Sequence, residues 1–333
     1  MDSERYSRNI LLKEIGEDGQ RRLCGSSVFV VGCGGTGGAC AEMLVRAGVG
    51  HITIMDRDLV DITNLQRQTL FTENDVGVEK AVSAARMLKK MNSVVRINAI
   101  VDELDADNCE ELIGSVDLVM DCTDNMPTRF IINDACVKLG KPWIYMGAIS
   151  TYGMVAPFVP GGACFRCLFP VVPKGLETCD AAGVLNTLPG TIARMGATEA
   201  MKILLGNQME SDLISYDGWA QHLERIAIRK KADCKCCSRH DFEFLEAKAA
   251  EVTGLCGGVF QINPECNPKE SLDEIAARLK GHGDVRLSDS AVVFHSGGCE
   301  LTIFDSGRTL VSGARDEKEA KSLYERYVRG MTA

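Results

Sequence analysis

The chain of 333 residues is long for one compact domain, so its length predicts two domains. Lysine and arginine number 37 against 46 aspartates and glutamates, and the net charge of −9 excludes the broad positive surface typical of nucleic-acid-binding proteins. No apolar run approaches the about 18 residues that a membrane-spanning helix needs, and the first residues contain no apolar signal core. We therefore expect a cytoplasmic protein without nucleic-acid or membrane partners.

The first predicted elements form a strand–loop–helix–strand unit between residues 26 and 56. An apolar run ends at Val31, the glycine-rich loop GCGGTG follows, and a helix and a second strand lead to Asp56. Glycines let a ligand approach the backbone, a helix N terminus attracts phosphate, and Asp56 is placed to bind ribose hydroxyls. The pattern alone leaves NAD and ATP open, because both contain phosphates that fit it. The candidate nucleotide contacts are Gly32, Gly34, Gly35, Gly37 and Asp56.

The segment after Asp56 favours a triphosphate over a nicotinamide dinucleotide. It contains the polar run NLQRQ, in which Asn64 and Arg67 are the candidate phosphate ligands. An arginine can bind phosphate oxygens through a bidentate fork, and Lys80, at the start of the next helical segment, could add a point charge. The alternatives are a solvated polar loop and an ordinary surface lysine.

Apolar runs then alternate with amphipathic segments along the first half of the chain. Helices are predicted over residues 79–92 and 129–140, and strands over 94–101, 116–122 and 142–148. This alternation predicts a Rossmann-like, doubly wound, mostly parallel sheet whose binding edge lies at the carboxyl ends of its strands.

The motif DCTDN places two carboxylates and an amide at the end of the strand predicted over residues 116–122. A carboxylate at the binding edge requires solvation, hydrogen bonds or a cation, and Mg²⁺ accompanying nucleotide phosphates is the expected cation. We predict that Asp124 binds Mg²⁺ and that Asp121, nearer the strand, is structural.

The second half of the chain contains a continuation of the sheet and then a separate module. Predicted strands at 151–159, 212–218 and 223–229 and a buried helix at 190–206 continue the first sheet. A charged, alanine-rich stretch then marks a joint, followed by the strands and helices of a small α+β module. The predicted domains are residues 1–250 and 255–333.

Fifteen cysteines are an odd number, which argues against a closed set of disulfides. The motifs CFRC and CKCC supply two pairs with metal-ligand spacing, and soft thiolates favour Zn²⁺ over Mg²⁺ or Ca²⁺. Four thiolates form a closed, structural zinc site with no open position for catalysis. Spacing selects Cys164, Cys167, Cys234 and Cys237 as ligands and leaves Cys236 spare.

Cys179 is the remaining candidate for chemistry. It lies in the apparently irregular stretch GLETCDAAGVLNTLPG, which suits a nucleophile, but no lysine, arginine or histidine adjoins it to lower its pKa. The local sequence therefore leaves both a nucleophile and an ordinary surface cysteine open.

Together these segments resemble the MoeB/ThiF/HesA adenylyltransferases, which are relatives of the ubiquitin-activating enzymes. The resemblance covers residues 5–245 and rests on RYSRNILL, GCGGTG, the pattern DxDxVDxTNLQRQ that begins at Asp56, VGVEKA, DCTDN, CFRC, TCDAAGVL and CKCC. It implies MgATP rather than NAD, and adenylation of the C-terminal glycine carboxylate of a ubiquitin-like sulfur carrier ending in Gly-Gly.

The resemblance also implies roles for individual residues. Gly35 would lie against the nucleotide, Asp56 would hold the ribose, Asn64, Arg67 and Lys80 would contact phosphates, and Asp124 would bind Mg²⁺ with Asn125 beside it. Arg8 matches an arginine that the family inserts from a second subunit, which implies a homodimer. Cys179 matches a loop cysteine that in several relatives accepts the activated carrier or takes part in sulfur transfer.

Besides a nicotinamide dehydrogenase, which the NLQRQ segment disfavours, two other functions remain open. One is adenylation of a small molecule or of a tRNA base, as in threonylcarbamoyladenosine dehydratases. The other is a non-catalytic scaffold that binds a nucleotide. The zinc cysteines and acidic charge speak against the first, and the intact Arg67, Lys80 and Asp124 speak against the second.

Overall fold

A computed structural model describes residues 4–173, 182–246, 252–254, 258–264, 270–288, 291–305 and 307–329. The chain divides into two compact units, Met1–Ala247 and Lys248–Ala333. Every helix within the described residues is too short or too polar to traverse a lipid bilayer.

The first unit is an α/β layer structure. Its helices are α1 (Ser7–Ile10), α2 (Gly16–Gly25), α3 (Gly35–Ala47), α4 (Lys80–Met91), α5 (Cys109–Gly114), α6 (Met126–Leu139), α7 (Phe165–Leu168), α8 (Thr187–Leu204) and α9 (Glu243–Glu246). Its strands are β1 (Ser27–Val31), β2 (His51–Met55), β3 (Arg96–Ile100), β4 (Leu118–Asp121), β5 (Trp143–Ile149), β6 (Tyr152–Phe158), β7 (Asp212–Asp217) and β8 (His222–Ala227).

The strands form one sheet in the order β3-β2-β1-β4-β5-β6-β7-β8. Pairing is parallel from β3 to β5 and antiparallel from β5 to β8. Residues from α3, α4 and α8 pack on one face, represented by Leu44, Leu88 and Ile192, and α5 and α6 contribute Ile113 and Phe130 to the other. The predicted Rossmann-like, mostly parallel architecture is confirmed, including the continuation of the sheet beyond residue 150.

The glycine-rich loop connects β1 to α3. Within this loop, the backbone at Gly37 lies very close to the backbone at Gly32. Gly32 has a φ of +85°, and its N–H donates a hydrogen bond to the carbonyl oxygen of Met55 at 2.8 Å. A Cβ atom on Gly37 would lie only 1.9 Å from the carbonyl oxygen of Gly32. The first turn of α3 can therefore lie against the end of β1 only because residue 37 has no side chain.

Replacing Gly37 with alanine should destabilise the first unit by about 3 kcal/mol or more, because backbone rather than a flexible side chain must move. Gly114→Ala is the matched control, since no atom lies within 4 Å of the Cβ position there, and we expect a change of at most about 1 kcal/mol. Urea denaturation measures both effects. Equal midpoints for the two variants would contradict the steric argument.

The second unit is an antiparallel sheet with helices on one face. Its elements are β9 (Val252–Gly254), β10 (Val259–Ile262), α10 (Leu272–Leu279), β11 (Asp284–Leu287), β12 (Ala291–Ser296), β13 (Cys299–Phe304), β14 (Thr309–Ser312) and α11 (Glu317–Tyr324). The strand order is β11-β12-β13-β14-β10-β9. Ile275 of α10 and Tyr324 of α11 share an apolar core with Phe294, Leu301 and Val311 of the sheet. The small α+β module predicted from the sequence is therefore present.

Candidate functional site

Asp56 follows β2 at the carboxyl edge of the parallel strands, and its carboxylate organises the backbone around it. One oxygen accepts a hydrogen bond from the Cys33 N–H at 2.6 Å, and the other accepts one from the Asp58 N–H at 2.8 Å. Burial raises the pKa of Asp56, while the positive charge of Lys80 acts in the opposite direction. Asp56 thus connects the glycine loop to the segment that follows β2.

Lys80, the first residue of α4, is a buried cation among carboxylates at the same edge. Its Nζ lies 3.0 Å from a carboxylate oxygen of Asp58. Burial alone would lower the pKa of Lys80, but the negative charges of Asp56, Asp58 and Asp124 outweigh that effect and raise the pKa above its usual value. The ammonium group is therefore positively charged at any physiological pH.

The polar segment containing Arg67 folds back onto the glycine loop. A Cβ atom at Gly35 would lie 3.5 Å from the Arg67 carbonyl oxygen and 3.0 Å from Pro189 of α8. The Arg67 guanidinium donates to the Thr63 carbonyl at 3.1 Å, and the Asn64 side chain accepts a hydrogen bond from the Asp61 N–H at 3.3 Å. The structure therefore brings the backbones of Gly35 and Arg67 together.

The two carboxylates of DCTDN are in different environments. Asp121 is fully buried, accepts hydrogen bonds from Thr123, and lies 3.3 Å from Nε of Arg129. Asp124 is exposed, and Asn125 caps the N terminus of α6 by accepting a hydrogen bond from the Thr128 N–H at 3.0 Å. This contrast agrees with a structural role for Asp121 and leaves the Asp124 carboxylate accessible to a cation.

Sequence reasoning missed further charged residues at this edge. Arg57 lies 2.5 Å from Glu103 and 3.8 Å from Asp58. Burial alone would lower the pKa of Arg57, but Glu103, Asp58 and Asp124 raise it overall. The signal that could have revealed Asp58 is the DRD spacing at the end of β2, where alternate residues point to the same side of the chain.

One sequence-predicted residue that the structure describes is not brought into this cluster. Arg8 lies on the short helix α1, with its side chain exposed. Cys179 lies outside the described residues. The chain that follows it pairs with Ser150 just after β5, where the Ser150 N–H donates to Gly183 at 2.9 Å and the Leu185 N–H donates to Ser150 at 2.8 Å.

The four cysteines selected by spacing converge in the first unit. All four sulfur atoms lie within 4.8 Å of one another, with Cys164 and Cys234 at 3.6 Å and Cys167 and Cys237 at 3.5 Å. Four sulfurs about 2.3 Å from a tetrahedral zinc ion would lie about 3.8 Å apart, so the cluster could hold zinc. Cys236 is not among them, and its sulfur instead accepts a hydrogen bond from Asn133 at 3.2 Å.

Comparison with known proteins assigns the chain to a family. The ThiF family model matches residues 6–237. The chain belongs to the ThiF family.

Two curated relatives and one solved structure show how far this similarity extends. The chain is 38% identical over 332 residues to the sulfur carrier protein ThiS adenylyltransferase of Bacillus subtilis, covering 97% of this chain and 99% of that protein. It is 38% identical to the SAMP-activating enzyme E1 of Haloferax volcanii, covering 75% of this chain and 96% of the relative. The crystal structure of E. coli MccB with ATP has a TM-score of 0.62 at 24% identity, covers 70% of this chain and 73% of its own, and shows the shared fold.

Proposed function

We propose that the protein uses MgATP to adenylate the C-terminal glycine carboxylate of a ubiquitin-like sulfur carrier ending in Gly-Gly. The observation that carries the proposal is the buried, charged Lys80 at the carboxyl edge that also contains the glycine loop and Asp56. The names of the relatives, a ThiS adenylyltransferase and a SAMP-activating E1, supply the substrate class.

In this proposal the carrier carboxylate oxygen attacks the α-phosphorus of ATP. A new bond forms between that oxygen and the α-phosphorus, and the bond to the oxygen bridging the α- and β-phosphates breaks. Pyrophosphate leaves with the electron pair, and the carrier becomes an acyl adenylate. The reaction replaces a poor leaving group on the carbonyl carbon with a good one.

The protein contributes binding and charge. The N–H groups at Gly34, Gly35 and Gly37 and the N terminus of α3 would receive phosphate oxygens, and Asp56 would bind the ribose. Gly32 would line the site without donating to phosphate, because its N–H is bonded to the Met55 carbonyl oxygen. Asn64, Arg67 and Lys80 would stabilise negative charge as it moves toward the leaving pyrophosphate.

Mg²⁺, bound by Asp124 beside Asn125, would neutralise phosphate charge. Arg8 of a second subunit would complete the site in a homodimer, as the family resemblance implies.

Zn²⁺ held by Cys164, Cys167, Cys234 and Cys237 would have a structural role. A closed set of four thiolates offers no open position for a substrate. The sulfur atoms lie near Ala163 and Phe242 rather than among the charged residues at the strand ends, which supports this assignment.

Pyrophosphate exchange into ATP, dependent on a carrier ending in Gly-Gly, tests the proposal. We expect exchange with wild-type protein and a loss of about 100-fold or more with Lys80→Ala, because a preorganised charge is removed from the reacting phosphates. A carrier lacking its last glycine is the control and should give no exchange. Exchange without any carrier, driven by a small acid or a tRNA, would instead support the small-molecule or tRNA-base activity.

Mass spectrometry of the same reaction addresses Cys179. We expect the adenylated carrier, and also a carrier–enzyme adduct on Cys179 if that residue accepts the activated carbonyl. Adenylate without any adduct would contradict the acceptor role and leave the adenylation step intact.

A further inference from the structure

Asp58 contacts Lys80 by two hydrogen bonds. One carboxylate oxygen of Asp58 accepts a hydrogen bond from Lys80 Nζ at 3.0 Å, and the Asp58 carbonyl oxygen accepts one from the Lys80 N–H at 2.9 Å. The second carboxylate oxygen lies 3.8 Å from Nε of Arg57. Asp58 therefore lies between two cations, and its direct partner is the lysine predicted to contact phosphate.

Asp56 does not make this contact, and each of its oxygens instead accepts a backbone hydrogen bond, one from Cys33 and one from Asp58. Its negative charge still favours the ammonium form of Lys80. Asp56 and Asp58 therefore make different contacts within the protein. Asp56 binds backbone N–H groups, and Asp58 binds the side chain of Lys80.

The two partners differ in exposure. The Lys80 side chain is 9% exposed, whereas that of Asp58 is 46% exposed. An ammonium group that is so deeply buried requires a counter-charge. A half-exposed carboxylate is well hydrated, so the ion pair is weak enough to be exchanged for another anion.

We propose that Asp58 is a positioning residue that holds the Lys80 ammonium at the carboxyl edge of the sheet until a nucleotide phosphate takes the place of the Asp58 carboxylate. The proposal rests on the proposed function, because it requires MgATP at this edge. When phosphate contacts Lys80, Arg57 is available to the released Asp58 carboxylate, since Glu103 at 2.5 Å holds the guanidinium nearby.

Calorimetric titration with MgATP alone tests this role without a carrier protein. Because Asp58 competes with phosphate for Lys80, Asp58→Asn should bind MgATP about threefold more tightly than wild type, in line with the strength of a half-exposed ion pair. Asp58→Glu keeps the charge and should not show the gain. Asp107→Asn removes an exposed carboxylate elsewhere in the first unit and controls for the change in net charge.

A double-mutant cycle distinguishes action through Lys80 from a general effect. In the Lys80→Ala background the gain from Asp58→Asn should disappear, because no ammonium is left to release. An equal gain in both backgrounds, or weaker binding by Asp58→Asn alone, would overturn the proposal. Wild-type protein that does not bind MgATP would overturn the proposed function itself, and thermal melting of each variant verifies that it is folded.

Discussion

Asp124→Asn should lower carrier-dependent pyrophosphate exchange by about 100- to 1,000-fold while leaving the protein as stable as wild type. The rate should fall because the cation that shields the phosphates would lose its carboxylate ligand, a loss comparable to removing a preorganised transition-state contact. Stability should change by no more than about 0.5 kcal/mol, because Asp124 is exposed. Exchange kinetics at several Mg²⁺ concentrations, with thermal melting, measure both quantities.

The neighbouring Asp121→Asn variant is the matched comparison, since it changes the same chemical group three residues away. Asp121 is fully buried and lies 3.3 Å from the guanidinium of Arg129. Its neutralisation leaves a buried cation without its counter-charge and should cost about 3–5 kcal/mol of folding free energy. If Asp124→Asn is fully active, or if it unfolds as readily as Asp121→Asn, the assignment of Mg²⁺ binding to Asp124 is wrong.

Cys237→Ser should remove most of the zinc from the purified protein and strongly destabilise the first unit. Structural zinc sites contribute apparent binding free energies of about 10 kcal/mol or more in small domains, and here part of that energy would hold α7 against the segment containing Cys234. We expect about one zinc per wild-type chain by elemental analysis. A strong chelator should lower the thermal midpoint of wild-type protein toward that of the variant.

Cys236→Ser separates a loss of metal from the loss of any buried thiol. The Cys236 sulfur accepts a hydrogen bond from Asn133, which a serine hydroxyl can also accept, so zinc content should be unchanged and the cost about 1–2 kcal/mol. Loss of zinc from Cys236→Ser with full retention by Cys237→Ser would show that the ligand set is wrong.

Much of the fold could be predicted from the sequence because hydrophobic periodicity is local information. The run ending at Val31, the helix ending at Gly140 and the helix predicted over 190–206 all correspond to observed elements. Strand β11 was not predicted, because three of its four side chains are exposed and its apolar pattern is correspondingly weak.

The site was only partly predictable because its geometry depends on contacts between distant segments. The motifs identified Asp56, Arg67 and Lys80 as candidates, but the role of Asp58 became visible only in its hydrogen bonds to Lys80. Pro189 was missed for a similar reason, since its approach to Gly35 depends on how α8 packs on the sheet.

Cys164 and Cys234 are 70 residues apart in the chain, and a metal shared between their pairs would act as a reversible cross-link. Closing a loop of this length lowers the entropy of the unfolded chain, worth about 4 kcal/mol in the simplest treatment of covalent cross-links. The enclosed stretch contains α8, β7 and β8, so one ion would restrain more than a quarter of the first unit. Unlike a disulfide, this cross-link would survive in a reducing compartment, and its strength would follow the concentration of free zinc.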